Sequence, residues 1–265
     1  MSKKVAIVTG GTSGIGRATA LALQERGYTV YELSRRAEGM PDIRHIVADI
    51  TKEETLQAAV EQVLAVEGRL DLVVNNAGFG ISGAIEFTDT QEAQRLFDTL
   101  FFGMVRMNRC VIPLMRQQGH GRIVNISSVA APVPIPFQAY YSAGKAAINA
   151  YTMALANELR PFGVTVCAVM PGDIKTGFTA ARHKIIDGDD IYQGRIGRSV
   201  QRMEHDEQTG MDPAKVGRYI AAVASREGSH HPLYATRIDY KFFVFLTKVL
   251  PARFLNWQIY QLYGK

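Results

Sequence analysis

The run Val5-Ala6-Ile7-Val8-Thr9-Gly10-Gly11-Thr12-Ser13-Gly14-Ile15-Gly16 decides the fold. A short apolar strand leads into a glycine cluster, and the helical stretch Arg17 to Gln24 follows. Glycines at 10, 14 and 16 permit a tight strand-to-helix turn, close backbone approach to a pyrophosphate and close packing of helix on sheet. The helix start adds unpaired amides and a favourable dipole for phosphate. A glycine cluster alone fits any tight turn. With a strand before it and a helix after it, Gly10, Thr12, Ser13, Gly14, Ile15 and Gly16 become candidate dinucleotide contacts.

Working outward, strand-like runs alternate with helical patterns at Val5–Thr9, Thr29–Leu33, Arg44–Ala48, Leu70–Val74, Arg122–Ile126 and Val164–Val169. Parallel strands need crossovers of a dozen residues or so, and the runs are continuously apolar, as in a sheet covered on both faces. This predicts an α/β fold: a doubly wound, mostly parallel Rossmann sheet of about seven strands, with a C-terminal helical extension. Thr51-Lys52-Glu53-Glu54 and Thr88-Asp89-Thr90-Gln91 read as capping boxes, and Asp212-Pro213 as a cap before a first-turn proline. Residues 178–211, interrupted by glycines at 188, 194, 197 and 210 and without strand periodicity, read as a partly helical, partly mobile cover. No repeat or linker divides the chain, so residues 1–265 are taken as one domain.

The 265 residues are 47% hydrophobic and 21% charged, the balance of a globular protein rather than a disordered one. Cys110 and Cys167 stand far apart, so no disulfide framework or four-ligand zinc site is expected, and a reducing, cytoplasmic setting fits. The six histidines (His45, His120, His183, His205, His230, His231) show no metal-ligand spacing, and His230-His231 before Pro232 reads as a loop. Four apolar residues before Thr9 are too few for an export signal, and no run approaches the ~18 apolar residues of a membrane span. The net charge is +5. From Thr236 to Lys265, Arg237, Lys241, Lys248, Arg253 and Lys265 face only Asp239, so the excess belongs to the tail and not to a nucleic-acid reading element.

The second strand ends in Ser34-Arg35-Arg36. An acidic residue at this tip would bind ribose hydroxyls, whereas guanidiniums suit a 2′-phosphate, so NADP is expected over NAD. Glu32, two residues earlier, is the competing carboxylate. Further on, Tyr140-Tyr141-Ser142-Ala143-Gly144-Lys145 places Tyr141 and Lys145 one helical turn apart on one face, while Tyr140 has Gly144 at that offset. A phenol is ionised to only about one part in a thousand at neutral pH, and a nearby ammonium can lower its pKa by ~1–3 units. The pair follows the fifth strand, whose end reads Asn125-Ile126-Ser127-Ser128, and ligands bind at such strand ends. Ser128, thirteen residues before Tyr141, is the expected donor to a substrate carbonyl, with Ser127 as a structural hydroxyl satisfying a strand-end amide.

In this order and spacing, the glycine loop, Asn75-Asn76-Ala77-Gly78, the Ser128, Tyr141 and Lys145 set, and Pro171-Gly172-Asp173-Ile174-Lys175-Thr176 resemble the short-chain dehydrogenase/reductase family over about Lys4 to Thr176. A further match lies near Met211 to Ala222. The resemblance implies hydride transfer between a nicotinamide and a carbonyl carbon, with Tyr141 exchanging the oxygen's proton and Lys145 holding the nicotinamide ribose. It implies adenine contacts at Asp49 and Ile50, a cofactor trough at Asn75, Asn76, Ala77 and Gly78, and carboxamide seating by Pro171, Gly172, Ile174 and Thr176. Where many members carry an asparagine that holds a water-linked proton path, this chain has Leu100.

Val129 to Phe137 carries no charge, which favours an apolar substrate body. Together with the tail, which is similar to that of hydroxysteroid- and retinoid-type members, this suggests a steroid-, retinoid- or lipid-like alcohol or ketone. The alternatives are a 3-oxoacyl reductase and a dinucleotide-sensing regulator without turnover. The aromatic, basic tail from Asp239 to Tyr263 admits folding back, contact in a homo-oligomer, or adhesion to a membrane surface.

Overall fold

The computed structural model describes residues 3–226 and 231–265. Met1 and Ser2 of the basic N-terminus, and His230 of the expected loop, lie outside the described residues. The main sheet takes β1 (Val5–Thr9), β2 (Thr29–Ser34), β3 (Arg44–Val47), β4 (Leu72–Asn75), β6 (Gly121–Ile126), β7 (Val164–Met170) and β9 (Leu233–Ala235). All pairings are parallel, in the spatial order β3-β2-β1-β4-β6-β7-β9. This is the doubly wound order, with the chain reversing direction across the sheet between β1 and β4.

Alternation along each strand feeds two cores. Ala6 and Val8 pack with α1 (Gly14–Glu25) and α8 (Pro213–Ala224) on one face. Val5 and Ile7 pack with α2 (Glu53–Glu67), α4 (Gly103–Gln118) and α5 (Ala139–Leu159) on the other. Every β1 residue is buried, which is why the run reads as continuously apolar.

Of the three expected helix starts, one forms as read. Asp212 accepts from the Ala214 amide at 2.8 Å, with Pro213 in the first turn. The Thr51 box does not form: α2 starts after Lys52 without a side-chain cap, because the Thr51 hydroxyl donates to Asp49 Oδ1 at 2.8 Å. The Thr88 box shifts by one residue. Asp89 caps α3 (Thr90–Phe97) through the Gln91 amide, and the buried Thr88 hydroxyl donates to the Ala84 carbonyl at 2.8 Å.

The covering segment is more ordered than its glycines suggest. It holds α6 (Phe178–Ala181), β8 (His183–Lys184) and α7 (Arg195–Gln208), and β8 pairs in parallel with β5 (Ile81–Ser82). A strand too short to show periodicity is therefore present where none was expected. The tail forms α9 (Ile238–Val249) and α10 (Ala252–Ile259), broken at Pro251, and ends in a π turn over Tyr260–Gly264. Among the described residues, no helix is long and apolar enough to cross a membrane.

Candidate active site

A cleft of about 1230 Å³ opens at the carboxyl ends of β1, β2, β4, β6 and β7. It is lined by Gly10, Thr12, Ser13, Gly14, Ile15, Ser34, Arg35, Arg36, Asp49, Ile50, Asn76, Ala77, Gly78, Ser128, Tyr141, Lys145, Pro171, Gly172, Ile174 and Thr176. Topology alone brings these together from 167 residues of chain, because parallel strands all end on one edge.

Two expected contacts lie outside it. Gly16 is buried beneath the loop, where a Cβ would fall 2.3 Å from the Gly10 carbonyl oxygen and 2.4 Å from Asn76 Nδ2. It serves close packing. Asn75 is buried behind the trough, donating to Asn108 Oδ1 at 2.8 Å and Asn125 Oδ1 at 2.9 Å, and Asn125 donates in turn to Thr152. This amide network ties β4 and β6 to α4 and α5.

The loop backbone is shaped for close approach by a ligand. Gly10 and Gly14 adopt φ of +66° and +52°, which L side chains rarely tolerate. Thr9 Oγ1 accepts from the Asn76 and Ala77 amides at 3.0 and 3.1 Å, and Asn76 Nδ2 donates to the Thr9 carbonyl at 3.1 Å, stitching β1 to β4. Asp49 is tied locally as well. Burial works to raise its pKa, but donation from Thr51, with Arg35 and Lys52 nearby, holds the carboxyl below its ordinary value.

At the β2 tip, Arg35 and Arg36 are exposed to solvent and line the cleft. Glu32 does not line the cleft. Its side chain is fully buried under Gly11 and engages His45 Nδ1, while His45 Nε2 meets the Arg36 carbonyl at 2.9 Å. Burial raises the Glu32 pKa, and His45 and Arg36 offset it. Sequence spacing does not show this pair, since β3 brings His45 opposite Glu32 only through parallel register.

Tyr141 and Ser128 share a hydrogen bond, and the Ala130 amide fixes Ser128 Oγ at 3.1 Å. Ser127 turns the other way, donating to the Lys145 carbonyl at 3.1 Å, so its structural partner is a helix carbonyl and not a strand-end amide. The Lys145 ammonium donates to the Ile126 carbonyl at 2.7 Å and lies 5.5 Å from the centre of the Tyr141 ring.

The expected electrostatics are overturned. Burial pushes the Tyr141 phenol up to about 12, although the Ser128 bond and Arg182 pull it back, and burial pushes Lys145 down to about 7. The amine sits under the ring and is spent on a backbone carbonyl, so desolvation dominates both groups.

Leu100 fills its own space. Buried in a π turn over Asp98–Phe102, it packs so closely on Gly78 that a Cβ there would fall 2.3 Å from Leu100 Cδ2. Behind it lies a cavity of about 10 Å³ bordered by Asn75, Ile126 and Ile148.

The cover and the tail close the outer wall. The Phe178 ring lies 5.8 Å from that of Tyr141, and the buried Arg182 pairs with Glu207. Phe137, next to the last residue before α5, adopts φ of +59° while its ring meets Tyr192 edge-on at 5.6 Å and its carbonyl accepts from Gly83 at 2.8 Å. From the tail, the Tyr240 ring lies over Gly172 and its hydroxyl meets Asp173, and Tyr263 lines the cleft while donating to Asp206 at 2.8 Å.

Residues 4–185 match the family described as short chain dehydrogenase. The chain is 37% identical to a 3-ketodihydrosphingosine reductase of Bacteroides thetaiotaomicron over 97% of this chain and 94% of that protein. A solved short-chain dehydrogenase from Streptomyces avermitilis superposes with a TM-score of 0.84 at 34% identity, covering 97% of each chain. The 3-ketoacyl-(acyl-carrier-protein) reductase of Brucella melitensis, complexed with NADH, gives 0.74 at 28% identity over 88% of this chain and 96% of that one. With the family match spanning more than half its length, the chain belongs to the short chain dehydrogenase family.

Proposed function

We propose that this chain is an NADPH-dependent reductase of a long-chain lipid ketone. The observation that carries the reading is the Ser128–Tyr141 hydroxyl pair beside the buried Lys145, set where the glycine loop and the apolar 129–137 wall meet. The strand-end cleft and the positive-φ glycines fit a dinucleotide pyrophosphate. When bound, the nicotinamide supplies the hydride for the carbonyl carbon.

The remaining chemistry falls to side chains of this chain. Ser128, with its oxygen fixed by the Ala130 amide, orients and polarises the carbonyl oxygen. Tyr141, held protonated at neutral pH by burial, donates the proton to that oxygen. Lys145, anchored on the Ile126 carbonyl beneath the Tyr141 ring, is placed to hold the nicotinamide ribose. Leu100 leaves no amide at the position where relatives of this type are expected to hold water.

The substrate class draws on the uncharged wall and on the name of the Bacteroides relative. The test is NADPH oxidation with 3-ketodihydrosphingosine, set against a steroid ketone, retinal and a 3-oxoacyl thioester. Highest kcat/KM on the long-chain ketone is the expected outcome; preference for the thioester would establish the 3-oxoacyl reading instead.

The Brucella relative is complexed with NADH, so the cofactor preference rests on this chain's own β2 tip. Arg35 and Arg36 are available there, and Glu32 is withdrawn by His45. Removing the charge-assisted bonds of one guanidinium through Arg35→Ala should weaken NADPH binding about tenfold or more. NADH affinity should stay within about twofold, as measured by fluorescence titration, since it has no 2′-phosphate. Equal affinity of the parent for NADH and NADPH overturns the preference.

A further inference from the structure

The two inward-facing tail tyrosines clamp α9 and the final π turn to the cleft wall, at Gly172–Asp173 and at Asp206. Between them the other side of the tail is bare. Ile238, Phe242, Phe245 and Val249 are exposed by 82, 59, 55 and 55%. At about 100° per residue these four fall within about 60° of arc, and Tyr240 points to the opposite side. The bare row faces away from Tyr240, and Phe243, 48% exposed, adds apolar surface about 100° from its edge. Phe254, Trp257, Tyr260 and Leu262 extend the exposed apolar surface past Pro251. Contiguous exposed apolar surface of this kind marks an interaction site.

Charge identifies the partner. Lys241 and Lys248, seven residues apart, are exposed along one margin of the α9 stripe, and Arg253 is exposed at the start of α10. No acidic residue occurs from Tyr240 to Lys265. A second copy docking tail to tail would offer these cations only Asp239 as an acidic side chain of the tail, and Asp239 is already paired with Arg237. An apolar stripe with a basic margin instead suits a helix lying in the plane of an anionic bilayer, with lysine stems reaching up to the headgroups. Neither helix is long enough to cross.

We propose that the tail seats the protein on an anionic lipid surface, with α9 and α10 in the interface and the cleft rim beside it, so that substrate enters from the bilayer. The purpose of this contact rests on the lipid-ketone reading; the contact itself does not.

Trp257, half-exposed on α10, is the one tryptophan of the chain and reports the contact directly. The intact protein is titrated with phosphatidylcholine vesicles containing phosphatidylglycerol, and with phosphatidylcholine alone. A blue shift of Trp257 emission and co-sedimentation with the anionic vesicles, both reversed by molar salt, are expected. Lys241→Gln and Lys248→Gln should each weaken partitioning about fivefold. Phe242→Ser with Phe245→Ser should abolish the shift while leaving NADPH affinity unchanged, which shows that the cleft is intact. Absence of both signals with anionic vesicles overturns the proposal. So does an emission shift that depends on protein concentration without lipid and accompanies a dimer in sedimentation velocity. Vesicle binding by a protein inactive on every ketone of the panel would retain the surface and remove only the substrate assignment.

Discussion

Tyr141→Phe is expected to lower kcat for ketone reduction by about 10²–10⁴, the range of a positioned proton donor. The phenylalanine ring keeps the contact with Phe178 and the place over Lys145, so NADPH affinity and melting temperature should stay near those of the parent. What disappears is the hydroxyl that meets Ser128. Rapid-mixing measurement of NADPH oxidation, beside equilibrium titration of the cofactor, separates the two effects. Unchanged kcat would remove Tyr141 from the reaction. Cofactor binding without turnover by either protein would mark a dinucleotide sensor.

Lys145→Met should abolish most activity and yet stabilise the protein, most of all in acid. The sign follows from burial, which lowers the folded-state pKa of Lys145 from 10.5 to about 7. Below pH 7 the amine is charged in both states, and the folded state carries the full cost of desolvating it. Between pH 7 and about 10.5 the unfolded chain binds the extra proton, so the contribution of this group to stability rises with pH across that window. At about 1.4 kcal/mol per pKa unit the penalty amounts to a few kcal/mol. Methionine fills similar volume without the charge and leaves the Ile126 carbonyl unpartnered, which takes back about 1 kcal/mol. Urea unfolding of parent and variant at pH 6 and pH 9.5 checks this. A difference independent of pH would show that the lysine titrates normally. A stabilising substitution at the cost of function is the pattern expected where a charge is buried for chemistry.

The fold was legible because its signals are local. Fully buried strands such as β1 read as apolar runs, and the glycine loop, the Asp212 cap and the Tyr141–Lys145 offset each lie within a few residues. The cleft lining followed, since one edge of a parallel sheet collects every strand end. Features set by distant partners were not legible. Thr51 and Thr88 carry the right residues for capping boxes, but Asp49 and the Ala84 carbonyl take their hydroxyls. Strand β8 is two residues long and exists only against β5. The Glu32–His45 pair and the buried asparagine network depend on register between separate strands and helices. The pKa direction of Tyr141 was misread for a related reason: spacing shows that an amine is near a phenol, but not that burial outweighs the charge.

Phe137 joins the cover to the catalytic helix. A bulky residue at φ +59° is uphill by about 1–3 kcal/mol. It is held there by Tyr192 from the cover and by Gly83. Without the Tyr192 ring, only the Gly83 bond would oppose that strain at the entry to the helix that carries Tyr141. Contact between the cover and the catalytic helix thus runs through one strained residue, so a Phe137→Gly exchange would relieve the strain and remove the ring contact together.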